Sequence, residues 1–162
     1  MPTSQRQKDV CDLLDADHKA VKKMFKDFDS LCESRARNAG QLRMDLAREI
    51  CTELTIHAQL EEEIFYPALR EAIKETDLLA EAEVEHQTAK DLIAQIQAAE
   101  MVDEAFDAKV KVLGEYIDHH VKEERNEIFP KARSAKKLDL VAMREEVEAR
   151  KEGLLDEHLA AA

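Results

Sequence analysis

The sequence predicts an all-α protein, an up-down-up-down four-helix bundle with an additional C-terminal helix. Ala, Leu, Glu and Lys dominate the composition, whereas the 162 residues include only three Gly and three Pro, which favours helix over strand. Apolar residues recur at alternating steps of three and four in four long segments, the period of a core-facing helix. Short connections between these segments make successive helices antiparallel neighbours.

The four bundle helices are predicted over residues 8–33, 41–74, 77–98 and 103–134, and their connections carry the sequence's few breaks. The first connection contains Gly40, and the other two are only a few residues long. Pro67 and Pro130 are expected to kink or end the second and fourth helices, because proline lacks an N–H and crowds the preceding turn.

The fifth helix is predicted over about residues 138–160, where a broken amphipathic pattern surrounds Gly153. We expect it to dock on its own bundle, although the same face could pair with another chain and produce an oligomer. No linker or composition change divides the sequence, so residues 1–162 are predicted to form a single domain around a four-helix core of about residues 8–134.

Charge and composition exclude several classes of partner. A net charge of −12 argues against nucleic-acid binding, which requires a basic face. No apolar run approaches the length of a membrane span, and residues 1–8 lack the apolar stretch of a secretory signal. Three cysteines, odd in number and without CxxC spacing, fit a reducing compartment, so we expect a cytoplasmic protein with no membrane partner.

One motif occurs twice. His57-Ala58-Gln59-Leu60-Glu61 and His120-Val121-Lys122-Glu123-Glu124 each place a histidine four residues before a glutamate, and a proline follows ten residues after each histidine. Side chains at positions i and i+4 share one face of a helix. Each copy therefore presents an imidazole and a carboxylate side by side, which is half of a metal-ligand set.

The core-facing stripes carry all the candidate ligands. The first and third helices each place one histidine, His18 and His86, among apolar stripe residues. The second and fourth place the two His-x-x-x-Glu pairs on theirs. The stripe residues are Val10, Leu14, His18, Val21, Phe25, Phe28 and Cys32; Leu42, Leu46, Ile50, Leu54, His57, Glu61 and Phe65; Leu79, Ala82, His86, Ala89, Ile93 and Ile96; and Phe106, Val110, Leu113, Ile117, His120, Glu124 and Ile128.

Two glutamates directed into a bundle core require a partner. A buried carboxylate is costly unless it is paired or binds a cation, and these stripes contain no Lys or Arg. Histidine nitrogen and glutamate oxygen suit Fe, Mn or Zn better than Ca or Mg. Because each half of the chain supplies a lone His followed by a His-x-x-x-Glu, a two-fold arrangement of the halves suits a centre of two ions.

Alternative assignments remain at some positions. His119 and Glu123 form a second i, i+4 pair one residue before the favoured one, on a flanking stripe with Val112 and Tyr116. We rank His119 and Glu123 second to His120 and Glu124 as metal ligands. His119 could still lie beside the site or along the path by which ligands reach it. The tyrosines Tyr66 and Tyr116 are interpreted as packing residues that could also reach the site.

In its order of His18, His57-x-x-x-Glu61, His86 and His120-x-x-x-Glu124, the chain resembles the hemerythrin-like, HHE cation-binding family, over about residues 10–133. The stretches ending at Pro67 and Pro130 fit the same consensus. The resemblance implies a cofactor of two iron ions, a non-haem di-iron centre with an oxo or hydroxo bridge, although Zn or Mn would satisfy the same ligands. The metal ligands that it implies are His18, His57, Glu61, His86, His120 and Glu124.

The chain departs from the oxygen-carrying hemerythrins at two points. Those proteins have a fifth histidine in a His-x-x-x-His pair on the third helix, but Ala82 and Lys90 flank His86 here. They also have an aspartate five residues beyond the last histidine, where this chain has Glu124 after four. A more open iron position favours a protein that binds O2, NO or peroxide in sensing or stress response over a reversible carrier. The alternative is a di-iron enzyme that decomposes peroxide or oxidises ferrous iron.

Overall fold

The computed structural model describes residues 6–161, and every regular element in that range is helical. The all-α prediction is thereby confirmed. The N-terminal segment on which the signal-peptide expectation depends lies mostly outside the described residues. The helices are α1 (Val10–Glu33), α2 (Ala39–Leu60), α3 (Tyr66–Ala72), α4 (Asp77–Ala98), α5 (Glu104–Glu123), α6 (Phe129–Ser134) and α7 (Leu140–Ala161).

Four long helices surround a common centre. Helix α1 packs against α2 and α5, and α4 packs against the same two helices, so each has two neighbours in a closed ring. This arrangement is compatible with the predicted up-and-down order. Helix α7 packs against α1 and α2, so the C-terminal helix docks on its own bundle. None of the helices within residues 6–161 has the length and apolar character needed to cross a bilayer.

Two π-helical turns interrupt helices that the sequence predicted as continuous. Glu61–Phe65 joins α2 to α3, and Glu124–Ile128 joins α5 to α6. In each turn the hydrogen bond spans five residues, as between the Tyr66 N–H and the Glu61 carbonyl. The helical path continues through Pro67 and Pro130, each at the start of the following α-helix, where an N–H is not required. The wide turns therefore begin at the two motif glutamates.

The buried apolar side chains form two clusters, one on each side of the histidine layer. One cluster includes Leu14 and Leu60 together with Val147 and Leu154 of α7. The other includes Val21 and further residues of α2, α4 and α5. The stripe prediction is wrong at Leu42 and Cys32, which are exposed. In this part of α2 the residues buried in the second cluster are Met44 and Ala47, so a different face of the helix is directed into the core.

Candidate metal centre

The structure brings all six predicted site residues together in one buried layer. None has more than 7% of its surface exposed, and the two glutamates are fully buried. The residues are His18, His57, Glu61, His86, His120 and Glu124. Four separate helical segments supply the imidazoles, so the layer crosses the whole bundle.

The first half of the layer combines donors from α1 and α2 with both glutamates. His18 Nε2 lies 3.0 Å from His57 Nε2 and 3.1 Å from Glu124 Oε1. His57 Nε2 lies 2.9 Å from Glu61 Oε1. One potential ligand atom from each of these residues falls within 4.8 Å of the others, as a single ion requires.

The second half is built from α4 and α5. His86 Nε2 lies 3.2 Å from His120 Nε2 and 3.6 Å from Glu61 Oε1. Glu124 Oε2 lies 3.4 Å from His120 Nε2. Glu61 thus faces His57 and His86, and Glu124 faces His18 and His120. Each carboxylate spans both halves of the layer, which is the position that a bridging ligand occupies.

The buried carboxylates lack ordinary partners. Both oxygens of Glu61 and Oε1 of Glu124 accept no hydrogen bond of acceptable geometry from residues 6–161, although imidazole nitrogens lie near them. Leaving such oxygens unsatisfied in a protein interior is costly. Imidazole nitrogens and carboxylate oxygens are the donors that Fe, Mn and Zn prefer. The donor set and its unpartnered atoms therefore fit a pair of transition-metal ions.

All four imidazoles point Nε2 inward and present Nδ1 to an outer carboxylate. Asp17 lies 3.3 Å from His57 Nδ1, and Glu85 lies 3.2 Å from His120 Nδ1. Asp15 lies 3.7 Å from His18 Nδ1 and Glu62 lies 3.9 Å from His86 Nδ1, too far for a hydrogen bond, so these two nitrogens have no hydrogen-bond partner among residues 6–161. A carboxylate bonded to Nδ1, as Asp17 and Glu85 are, fixes the tautomer and orientation of a ligating imidazole.

Three of these four outer carboxylates have a basic partner. Asp15 pairs with Arg125, and Glu62 pairs with Lys90. Asp17 accepts a hydrogen bond of 2.6 Å from Lys151 of α7. The C-terminal helix therefore reaches the centre through one intervening carboxylate and His57.

Charge in the layer shifts the ionisation of its members. Burial alone would lower the pKa of His57, but the negative charge of Glu61 and the bond to Asp17 outweigh it and raise the pKa to about 10. Burial would raise the pKa of Glu61, but the neighbouring imidazoles hold it well below the usual range. In the absence of metal His57 and Glu61 thus form an imidazolium–carboxylate pair, and a metal ion bound through His57 Nε2 must displace that proton.

The hemerythrin HHE cation-binding domain family matches residues 9–132 of the sequence, and that range contains the whole layer. The chain belongs to this family. The match runs from the start of α1 into α6 and leaves α7 outside it.

Two known proteins are similar to this HHE domain. A hemerythrin HHE cation-binding domain-containing protein from Mycobacterium kansasii has a crystal structure that matches with a TM-score of 0.77, covering 95% of this chain and 91% of the other, at 24% identity. That likeness concerns the fold. A protein named DNA nickase from Nostoc sp. is 27% identical over 132 residues, which are 82% of the HHE domain chain but only 36% of the Nostoc protein. The chain therefore spans about a third of that relative.

A small cavity adjoins the layer on its histidine side. Its volume is about 40 Å³, enough for one or two water-sized molecules. The wall is mainly apolar, with Ala89 and Ile93 of α4 facing Ile117 and Val121 of α5. All four site histidines line it, but Glu61 and Glu124 do not. The histidine side of the HHE domain is therefore the accessible one.

Tyr66, interpreted from the sequence as a packing residue that could also reach the site, has its hydroxyl against the layer in the structure. Its hydroxyl donates a 2.6 Å hydrogen bond to Glu124 Oε2 and lies 3.3 Å from His120 Nε2. Burial and the nearby carboxylates raise the pKa of Tyr66 well above 10, so it remains a proton donor. The duplicated motif offered one signal. The residue directly before the proline is Tyr66 in the first copy and Phe129 in the second, so only the first copy has a hydroxyl group there. Tyr116, by contrast, is 43% exposed and lines the cavity.

The second-ranked register falls outside the buried layer. The side chain of His119 is 67% exposed, and its Nε2 pairs with Glu123 at 3.1 Å. These two residues group with Glu85 on the surface of α4 and α5. His119 is thus excluded from the buried centre by its direction on α5.

Proposed function

We propose that this HHE domain is a non-haem di-iron protein that binds O2 or a related small molecule, NO or peroxide, at an open iron position. One observation carries the proposal. Six buried donors converge in a layer in which three of the four carboxylate oxygens accept no hydrogen bond from residues 6–161, and a small apolar cavity opens on the side where no fifth histidine is present. When bound, the iron pair would supply electrons and a free coordination position.

The protein's own residues have four roles in this proposal. The imidazoles of His18, His57, His86 and His120 would hold the ions through Nε2, and the carboxylates of Asp17 and Glu85 orient the rings of His57 and His120. The two glutamates compensate the positive charge across both halves. Ala89 and Ile117 belong to a wall that admits a diatomic molecule or peroxide while limiting water, which suits reversible binding of an uncharged ligand.

The histidine-side opening distinguishes this site from one saturated by protein ligands. The positions four residues before and after His86 are Ala82, which is buried in a core cluster, and Lys90, which is paired with Glu62. Neither supplies a nitrogen ligand to the layer. An exchangeable position on this side supports ligand sensing and also leaves room for the alternative, turnover of peroxide or oxidation of ferrous iron.

Elemental analysis and optical spectroscopy test the proposal. Protein reconstituted with ferrous iron without oxygen should hold about two iron ions per chain, and adding O2 should produce visible absorption. Recovery of the reduced spectrum after O2 removal would identify a reversible binder, whereas oxygen evolution from added peroxide would identify an enzyme. A chain that retains no iron, or whose iron gives no spectral response to O2, NO or peroxide, would contradict the proposal.

A further inference from the structure

A second group of metal donors lies on the surface, outside the buried layer. Glu85 of α4 and the pair His119 and Glu123 of α5 each place a potential ligand atom within 4.8 Å of the others. The side chains of Glu85 and Glu123 are 20% and 30% exposed, so both are accessible while held against the bundle. One imidazole and two carboxylates form a donor set that suits a divalent transition-metal ion.

The surroundings of Glu85 differ from those of the other outer carboxylates. Asp15, Asp17 and Glu62 each have an Arg or Lys partner. Among residues 6–161, no Lys or Arg lies within 4 Å of Glu85 or Glu123. The carboxylates of Glu85 and Glu123 therefore lie close together beside the imidazole of His119, without a Lys or Arg to offset their charge. Like charges within 4.8 Å of each other repel.

The internal duplication explains why Glu85 has no Lys or Arg partner among residues 6–161. Asp17 and Glu85 are equivalent, because each precedes the lone histidine of its half and contacts Nδ1 of the histidine in the following motif. Asp17 receives Lys151 from α7. Only one half of the bundle is covered by α7, so no described helix brings a lysine to Glu85.

The matching positions in the two motifs support the same conclusion. His119 and Glu123 correspond to Ile56 and Leu60, which are buried in the cluster that contains α7 residues. Because α7 does not cover this half of the bundle, polar residues are expected at positions 119 and 123. Exposure does not explain why these two residues are an imidazole and a carboxylate that, with Glu85, place three metal donors within reach of one ion.

We propose that Glu85, His119 and Glu123 form an outer site for a divalent transition-metal ion, in the place that Lys151 takes on the opposite half. The ion neutralises the facing carboxylates. Because Glu85 also contacts His120 Nδ1 and lines the small cavity, the outer ion lies one carboxylate away from the buried centre.

Counting zinc ions tests the outer site. The purified chain is saturated with Zn²⁺, passed through a desalting column, and weighed by native mass spectrometry beside His119→Ala and Glu123→Gln. We expect each variant to hold one Zn²⁺ fewer than the original chain. His158→Ala, an exposed histidine on α7, serves as the control and should match the original chain.

The difference in Zn²⁺ count between the original chain and the two variants tests the outer site independently of the buried centre. If the buried centre binds no metal, the original chain still exceeds the two variants by one ion. Equal counts in all four chains would overturn the outer site even with the buried centre fully loaded. Anomalous diffraction at the zinc edge gives a second test, because the outer site requires a peak between Glu85, His119 and Glu123.

Discussion

Tyr66 donates a hydrogen bond of 2.6 Å to Oε2 of Glu124, and this contact makes the two halves of the site unequal. At the matching position, Phe129 instead stacks on the ring of His18, with centroids 6.1 Å apart. A phenol on one side and an apolar ring on the other give the two carboxylates different surroundings. Glu124 has a neutral donor, whereas neither oxygen of Glu61 accepts a hydrogen bond from residues 6–161.

Tyr66→Phe should destabilise the metal-free protein by about 1.5–3 kcal/mol, because a buried carboxylate oxygen loses its donor. Metal binding should survive, since Glu124 can still coordinate an ion. Chemical denaturation and elemental analysis measure the two effects. Tyr116→Phe is the control, because its hydroxyl belongs to a partly exposed ring. Equal stability losses in both variants would show that the Glu124 contact contributes nothing particular.

Glu61→Gln should reduce metal content strongly, to less than half of that of the original chain. Glu61 lies near imidazoles of both halves, so a neutral amide weakens the binding of both ions at once. Glu63→Gln, two positions along the same turn, is the control because Glu63 pairs with Arg150 at the surface. Full loading of the Glu61 variant would contradict a bridging position for this carboxylate.

Asp17→Asn should weaken metal binding about tenfold, since the outer carboxylate that orients His57 loses its charge. It should also loosen α7, whose Lys151 loses its ion-pair partner. Competition with a chelator measures the affinity, and hydrogen exchange of α7 measures the loosening. Asp27→Asn, at an exposed pair with Lys23, should change neither quantity.

The fold and the burial of the six candidate donors were accessible from the sequence because both depend on the helical period. Spacing alone placed His120 inward and His119 outward, and their exposures agree. The π-helical turns were not predicted, since no residue in Glu61–Phe65 differs visibly from ordinary helix formers. The outer carboxylates were missed for another reason: Asp17 and Glu85 contact histidines on neighbouring helices, and the stripe of a single helix carries no information on such pairs.

Metal loading near pH 8 should release at least one proton per chain, because the pKa of His57 is raised to about 10 in the metal-free layer. The same shift predicts the sign of the pH dependence. A raised pKa stabilises the metal-free fold fully below the unfolded value of about 6.5 and loses that effect as the pH rises through 10. Stability of the metal-free chain should therefore fall between pH 6.5 and pH 10.

Calorimetric titration in two buffers with different ionisation enthalpies counts the released protons, and denaturant unfolding across this pH range follows the stability. His158→Ala is the control for an exposed histidine. If no proton is released and metal-free stability rises toward pH 10, His57 is neutral in the layer, and the imidazolium–carboxylate description is wrong.

Ala89→Leu should block small-ligand binding while leaving the metal in place. Ala89 lies one helical turn after His86 and lines the cavity of about 40 Å³, so three added carbons occupy the space that a diatomic ligand needs. Azide added to the oxidised, iron-loaded protein provides the optical probe, and we expect at least a tenfold loss of affinity. Ala94→Leu, on the exposed face of the same helix, is the control. Elemental analysis must show equal iron in both variants for the comparison to hold. If azide then binds Ala89→Leu as tightly as the original chain, ligands reach the iron by another route, and the histidine-side cavity is not the binding position.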